Sequence, residues 1–548
     1  MQTQTLLNTP LRWLNWLEKK AGSVLSFEKV VFILMVLLHL LPVWTEKYIL
    51  NTDGPAHTYT SKVLLDYFFG RNLPLYRQYF ALDYYADPNW FSRFWLMFLQ
   101  VFFNGRIAEK LLVSAYLILF PVLFRKLLIK VNPANGVFSL LIFPFLSHHV
   151  FNYGFYNYSF AVAFLFGFLW FWKKNEADLN PKNWFIGMLL CTGMYFTHLW
   201  GFIFIGFFTA VLIFSEAVFQ LRSGKLRDVL KDTAIKSLKF FCMMLPGIVL
   251  AIIFIKAFLL SEDLYTDESQ KLVDGFFKLD ALRIYSHKEH FPSHLFADVL
   301  LFLFAVSLLM KLPRLKWSAN DGFLLCAIIA TVIYFEQPAK LTVGASWIFR
   351  MVLLPYLFLI IWSASVDHFK LVKLFFGAAA VFISIYFVAI RWPYYHRVSQ
   401  AMEEYLSVSG KIPLRSTVLP ISFNHKGNMP DGGEVCPEFY KFIHAFDYGC
   451  MDRDAISFAH NDWIPLRWTK DRNPFTKLGN MELQPPCMGI PPYAERSNGG
   501  QVEYVVTWCM DKNYWWTPEW QDIQCQIEEN YTLIDSSPHN LAKLYKIN

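Results

Sequence analysis

The sequence predicts an α-helical polytopic membrane protein of about 11–13 transmembrane helices with a C-terminal extracytoplasmic α/β or α+β domain. Three observations lead there. Of 548 residues 55% are hydrophobic, 17% are charged and 55 are phenylalanine, a balance foreign to soluble enzymes. Apolar runs long enough to cross a bilayer recur up to about residue 390, separated by short Lys/Arg clusters. Beyond Pro393 no such run occurs, and Pro, Gly, Asp and Asn become frequent. The chain therefore divides into residues 1–393, a multi-span module with interfacial helices in its first outer loop, and residues 394–548, a soluble extracytoplasmic domain. The net charge of +7 sits in clusters between apolar runs, which is the positive-inside pattern and argues against a nucleic-acid partner.

The first run, Phe27 to Trp44, is near the ~20 residues a spanning helix needs. It has no small-residue cleavage site, so it reads as a retained span. Arg12, Lys19, Lys20 and Lys29 precede it and place the N-terminus in the cytoplasm, so the next turn faces outside. That turn is Asn51-Thr52-Asp53-Gly54-Pro55-Ala56-His57. Gly-Pro bars Asp53 from a helix interior, leaving it in a turn at the membrane surface, with simple capping of the following helix as the plain alternative. Thr58 to Asn89 carries Lys62, Asp66, Arg71, Arg77, Asp83 and Asp87 among aromatics and reads as amphipathic, lying in the interface plane. Trp90 to Phe103 is short and interrupted by Arg93, a partial or tilted span.

The remaining expected spans are Ile107–Leu123, Val137–Val150, Phe155–Trp172, two crossings within Trp184–Phe214 broken at Thr197-His198, Phe240–Leu260, Leu295–Met310, Phe323–Phe335, Trp347–Ala364 and Leu374–Ile390. If Trp90–Phe103 does not change sides, about eleven crossings put the C-terminal region outside. Within that region Ser416–Phe423, Val502–Cys509 and Tyr531–Ile534 read as strands. Cys191, Cys242 and Cys326 fall in apolar runs; Cys436, Cys450, Cys487, Cys509 and Cys525 fall in the tail without a CxxC pair. Two disulfides with one thiol over, or five free thiols, are both compatible with that spacing.

Polar groups at membrane depth or at span ends are the candidates for chemistry, because desolvating them costs free energy. They are His57; His148 and His149 beside Asn152, Tyr153, Tyr156 and Asn157; His198 inside an apolar block; and Lys340 and Arg350, which flank a Gly-containing loop. For His198 a packing role is as good a reading as ligand contact.

The retained first span, the acid-bearing outer loop NTDGPAH, the aromatic turn GFYNY, the many later spans and the external tail together resemble the GT-C class of integral-membrane glycosyltransferases. That class includes bacterial relatives of the aminoarabinose and mannosyl transferases. The resemblance implies transfer, inverting in stereochemistry, of a sugar from a polyprenyl-phosphate-linked donor to a glycan, lipid or protein acceptor at the outer face. It also implies residence among the lipids of the bacterial inner (plasma) membrane. Asp53 would be the general base, with His57 orienting it or touching the acceptor. Lys340 and Arg350 would neutralise the departing phosphate, and His148, His149 and His198 would contact substrate. The class often pairs two acids in the first loop, whereas Gly54 follows Asp53 here; no cofactor is assigned, and a divalent cation, Mg2+ or Mn2+, stays open. The other readings are a polytopic secondary transporter and a non-catalytic scaffold for envelope assembly.

Overall fold

The computed structural model describes residues 16–70, 73–82, 87–256, 272–314, 317–336, 347–460, 465–469, 471–472, 476–478, 481–483, 501–511 and 518–548. Each apolar run in this set is helical. The boundaries follow local chemistry. Asn104 accepts a hydrogen bond from the Ile107 N–H (3.0 Å) to start the Gly105–Val131 helix. Asn180 does the same for Asn183 (2.9 Å), with Pro181 in the first turn of Pro181–Thr197. The apolar block from Trp184 to Phe214 breaks at His198, which has extended dihedrals (φ −167°, ψ 133°). Its Nδ1 accepts from the Trp200 N–H (3.1 Å) and so begins the Leu199–Gln220 helix.

Seven described helices are long and apolar enough to cross a membrane: Glu28–Thr45, Gly105–Val131, Leu199–Gln220, Leu226–Phe254, and those within residues 287–311, 319–336 and 370–411. The other expected crossings are helical too, but shorter or less apolar. Val137–Val150 falls largely in a 3-10 run, Pro133–Phe145, and Trp347–Ala364 divides into Trp347–Met351 and Leu353–Ser365. The outward faces are apolar. Along Glu28–Thr45, Val30, Ile33, Leu34, Leu37 and Leu41 form an exposed stripe at helical spacing, while Phe32, Met35, His39 and Val43 are buried on the other side. A helix apolar on both faces, with an exposed stripe of this kind, has the character of a membrane span.

The C-terminal region is built on a five-stranded sheet in the order β3-β2-β7-β9-β8, from β2 (Thr417–Ser422), β3 (Ile456–Ser457), β7 (Tyr504–Trp508), β8 (Tyr531–Ser536) and β9 (Ala542–Ile547). β2 runs parallel to β3 and β7, whereas β9 runs antiparallel to β7 and β8. Pro420 sits inside β2 at no cost to the ladder. Carbonyls of Ser416 and Val418 accept from β3-side donors, so Pro420 faces the same edge, and β3 pairs only as far as Val418.

Two connections tie this sheet region to the helices. The Lys370–Leu406 helix, about 55 Å long at 1.5 Å per residue, carries Pro393 inside it and runs unbroken past residue 393. The first outer loop joins the same core. Twelve of the fifteen residues of the Gly54–Phe68 helix are buried, so it lies under the tail rather than open along an interface. Its Tyr59 hydroxyl donates to the Ala455 carbonyl (3.0 Å), and Lys62 bridges Asp66 and Asp454. β1 (Phe80–Leu82) pairs antiparallel with β4 (Leu466–Trp468), and β5 (Thr476–Leu478) pairs antiparallel with β6 (Met481–Leu483). The helix presented enough Tyr, Val and Leu to pack on two sides, and the tail supplied the second.

Cys436, Cys450 and Cys525 of the tail are free thiols, and Cys487 lies outside the described residues.

Candidate active site

The turn at Asp53 is held by backbone. The Thr52 and Asp53 N–H groups donate to the Asn152 and Tyr153 carbonyls (3.1 and 2.9 Å), so residues 51–54 lie against the aromatic turn 148–156. Two glycines permit that approach. Gly154 caps the His149–Tyr153 helix at φ +94°, and a Cβ there would come within 2.9 Å of both the Asp53 and Gly54 nitrogens. A Cβ on Gly54 would lie 2.1 Å from Glu109 Oε1. Asp53 occupies the N-cap position of Gly54–Phe68, yet its side chain makes no capping bond, and Pro55 fills the first turn. The capping alternative therefore fails for the carboxyl, which is buried (6% exposed) and turned to other partners.

Those partners come from far along the chain. His444 Nε2 lies 3.9 Å from Asp53 Oδ1, and Asp447 Oδ2 lies 3.9 Å from His444 Nδ1. Ser457 Oγ donates to Asp447 Oδ1 (2.5 Å). The two 3.9 Å separations exceed hydrogen-bond length, so the row Asp53, His444, Asp447 is aligned but loose. Arg350 acts on Asp53 electrostatically. Its guanidinium packs over Phe155 (4.6 Å) and Tyr158 (5.5 Å), the Tyr158 hydroxyl donates to its carbonyl (2.5 Å), and its buried Nε has no hydrogen-bond partner among the described residues. A buried cation with an unused donor is a place for an anion.

Burial sets the protonation states. It raises Asp53 from the usual carboxylate range to about 8, against the pull of Arg350, and raises Asp447 to about 7 against the Ser457 hydrogen bond. It lowers His444 to about 4, helped by His460 and His425, and His57 to about 3, helped by Arg93 and His444. At neutral pH Asp53 is thus mostly protonated beside neutral imidazoles.

The other candidates divide. His57 joins Asp53: it is buried one turn on, 5.9 Å from the Tyr156 ring, and hydrogen-bonds the Gly154 backbone. His198 meets Tyr158 edge-on (5.2 Å) within the field of Arg350, besides capping its helix. His149 stacks on Phe349 at 3.9 Å and abuts Phe439. His148 faces away: its Nδ1 accepts from the Phe151 N–H (3.4 Å), which leaves Nε2–H for the Tyr116 hydroxyl (3.1 Å). Lys340 lies outside the described residues.

Sequence reasoning missed four groups. Glu109, from within the Gly105–Val131 helix, accepts from Thr58 (3.1 Å), Tyr156 and Tyr448, and thereby joins the outer loop, the aromatic turn and the tail. Its position in an apolar run was a legible signal. Lys441, His444 and Asp447 had none, since each looks like an ordinary polar residue of a soluble domain. Lys441 is buried, donates to the Leu50 carbonyl (2.8 Å) and Asn152 Oδ1 (3.2 Å), and is held down to about 8 by burial.

A cavity of about 70 Å3 opens next to this cluster, lined by Glu46, Tyr48, Leu50, Asn51, Asn152 and Tyr285 among others. It has room for a few water molecules. Asp53 belongs to no group of three closely spaced metal ligands among the described residues. No protein-family model matches the chain, and no curated protein matches it.

Proposed function

We propose that this chain is a membrane glycosyltransferase that moves a sugar from a polyprenyl-phosphate-linked donor to an acceptor hydroxyl at the outer face, with residues 394–548 outside the cytoplasm. The observation carrying the reading is Asp53, a buried carboxyl spared from capping, within the electrostatic field of Arg350, a buried guanidinium with an unused Nε–H. The acceptor oxygen attacks the anomeric carbon, and the bond from that carbon to the phosphate oxygen breaks. Asp53 takes the hydroxyl proton as general base. The electron pair leaves on the lipid phosphate, whose new charge Arg350 meets. His444 and Asp447 stand behind Asp53, placed to share the captured proton once the site tightens around substrate. The apolar outer faces of the helices suit the isoprenoid chain.

The direct test is purified protein incubated with a panel of radiolabelled polyprenyl-phosphate sugars and membrane-lipid or glycan acceptors; no transfer from any donor would remove the proposal. Two predictions sharpen it. Because the base works only when ionised and Asp53 sits at about 8, kcat/KM should climb roughly tenfold between pH 7 and 9, and fall as pH drops below 7. A flat profile would detach Asp53 from proton transfer. Arg350→Ala should raise the donor KM by about 10–100-fold, the worth of a hydrogen bond to a charged group, while leaving the acceptor KM within about twofold. The reverse pattern would take Arg350 out of the phosphate site.

A further inference from the structure

A second cluster of chemistry-bearing side chains lies at other residues, where the Ser286–His290 turn meets the tail. His287, His290 and Glu438 each direct a ligand atom inward, all within 4.8 Å of one another. His287 Nδ1 is 2.8 Å from Glu438 Oε1. A hydrogen bond accounts for that pair and for nothing else. It leaves the buried Nε2 of His290 without a partner among the described residues, and the same holds for His294 one turn further along the His290–Lys311 helix. Two imidazoles and a carboxylate with ligand atoms this close together, one of the imidazoles with a buried nitrogen that has no partner among the described residues, are a donor set for a transition-metal ion.

The turn that carries the imidazoles is built beforehand. Glu289 accepts from the Ile284, Tyr285 and Ser286 N–H groups (2.6, 2.5 and 3.2 Å) and pairs with Arg391, so its carboxylate is fully engaged in shaping the turn. Arg283 lies 3.7 Å from Glu438 and would oppose a dication, but its nearer partner is Asp280 at 2.8 Å. Metal–nitrogen and metal–oxygen bonds of about 2.0–2.2 Å need ligand atoms roughly 3.3–3.5 Å apart. The atoms farthest apart must therefore draw in by up to about 1.5 Å, and His287, with its side chain 80% exposed, is free to adjust with them.

We infer that His287, His290 and Glu438 bind a borderline-soft divalent cation of the zinc class, tying the start of a candidate membrane span to the tail. The tie matters because Glu438 opens the segment that supplies the Tyr440 carbonyl to Thr52, and Lys441 and His444 to the Asp53 surroundings. The test uses the tag-free full chain in detergent, dialysed against Zn2+ and weighed for bound metal, with Co2+ visible absorption as a second readout. One equivalent is expected, weakened at least 10-fold in His290→Ala and Glu438→Gln and unaffected by Asp53→Asn. His287→Asn, a change at an exposed position, guards against misfolding and should also weaken binding. Unchanged binding in all three variants, loss of the metal only with Asp53→Asn, or no stoichiometric binding by the unaltered chain would overturn the inference.

Discussion

Asp53→Asn is expected to lower sugar transfer by at least about 100-fold, the usual worth of a general base, while the protein stays folded. The two halves of that expectation have one cause. Burial holds the folded-state pKa at about 8, far above the ordinary aspartate value of 3.8, so the folded chain already prefers an uncharged group there, and Asn supplies one of the same size. The sign of the pH dependence follows. The stability linked to protonated Asp53 is fully present below pH 3.8 and is lost as pH rises through about 8. The Asn variant has no such loss, so its melting temperature should gain on the unaltered protein between pH 5 and 8. Thermal unfolding in detergent at both pH values, beside the radiolabel assay, checks both halves. Full transfer by the variant would end the assigned role. A variant that melts lower at every pH would show that the carboxylate serves the fold instead.

Gly154→Ala should do comparable damage without touching any charged group. Its φ of +94° costs a non-glycine residue roughly 1–2 kcal/mol. The added Cβ would also sit 2.9 Å from two backbone nitrogens, Asp53 and Gly54. Backbone cannot swing aside as a flexible side chain does, so residues 53–54 must move away from the aromatic turn. A displacement approaching 1 Å at a reacting group costs up to about 100-fold in rate. Gly70→Ala is the control: it too has a positive φ (+74°), but nothing lies within 4 Å of the added carbon. The expected outcome is a lower melting temperature for both, and loss of transfer for Gly154→Ala alone. Equal activity in the two would mean that the close crossing does not position Asp53.

The local features were open to reading from the residues. Long apolar runs mark helices apolar enough to span a bilayer, and His198 and Pro55 mark breaks through their own hydrogen bonding and ring geometry. The strands near residues 417, 504 and 531 followed from β-branched and aromatic content. Less legible was β9, whose Lys543 and Lys546 interrupt the apolar pattern. The fate of the Gly54–Phe68 helix was hidden as well: an amphipathic face looks the same whether it meets lipid headgroups or a protein layer.

On its own, then, the order of residues determined the helices, their ends, the turn that carries Asp53 and the aromatic bend it leans on. Folding in three dimensions decided that Glu109, Arg350, Lys441, His444 and Asp447 would converge on that turn, and that His287 and His290 would meet Glu438. The division has a physical cause. Hydropathy and turn chemistry act between neighbours a few residues apart, whereas a buried charge finds its partner through packing of segments up to some 390 positions away, as Asp53 and His444 do.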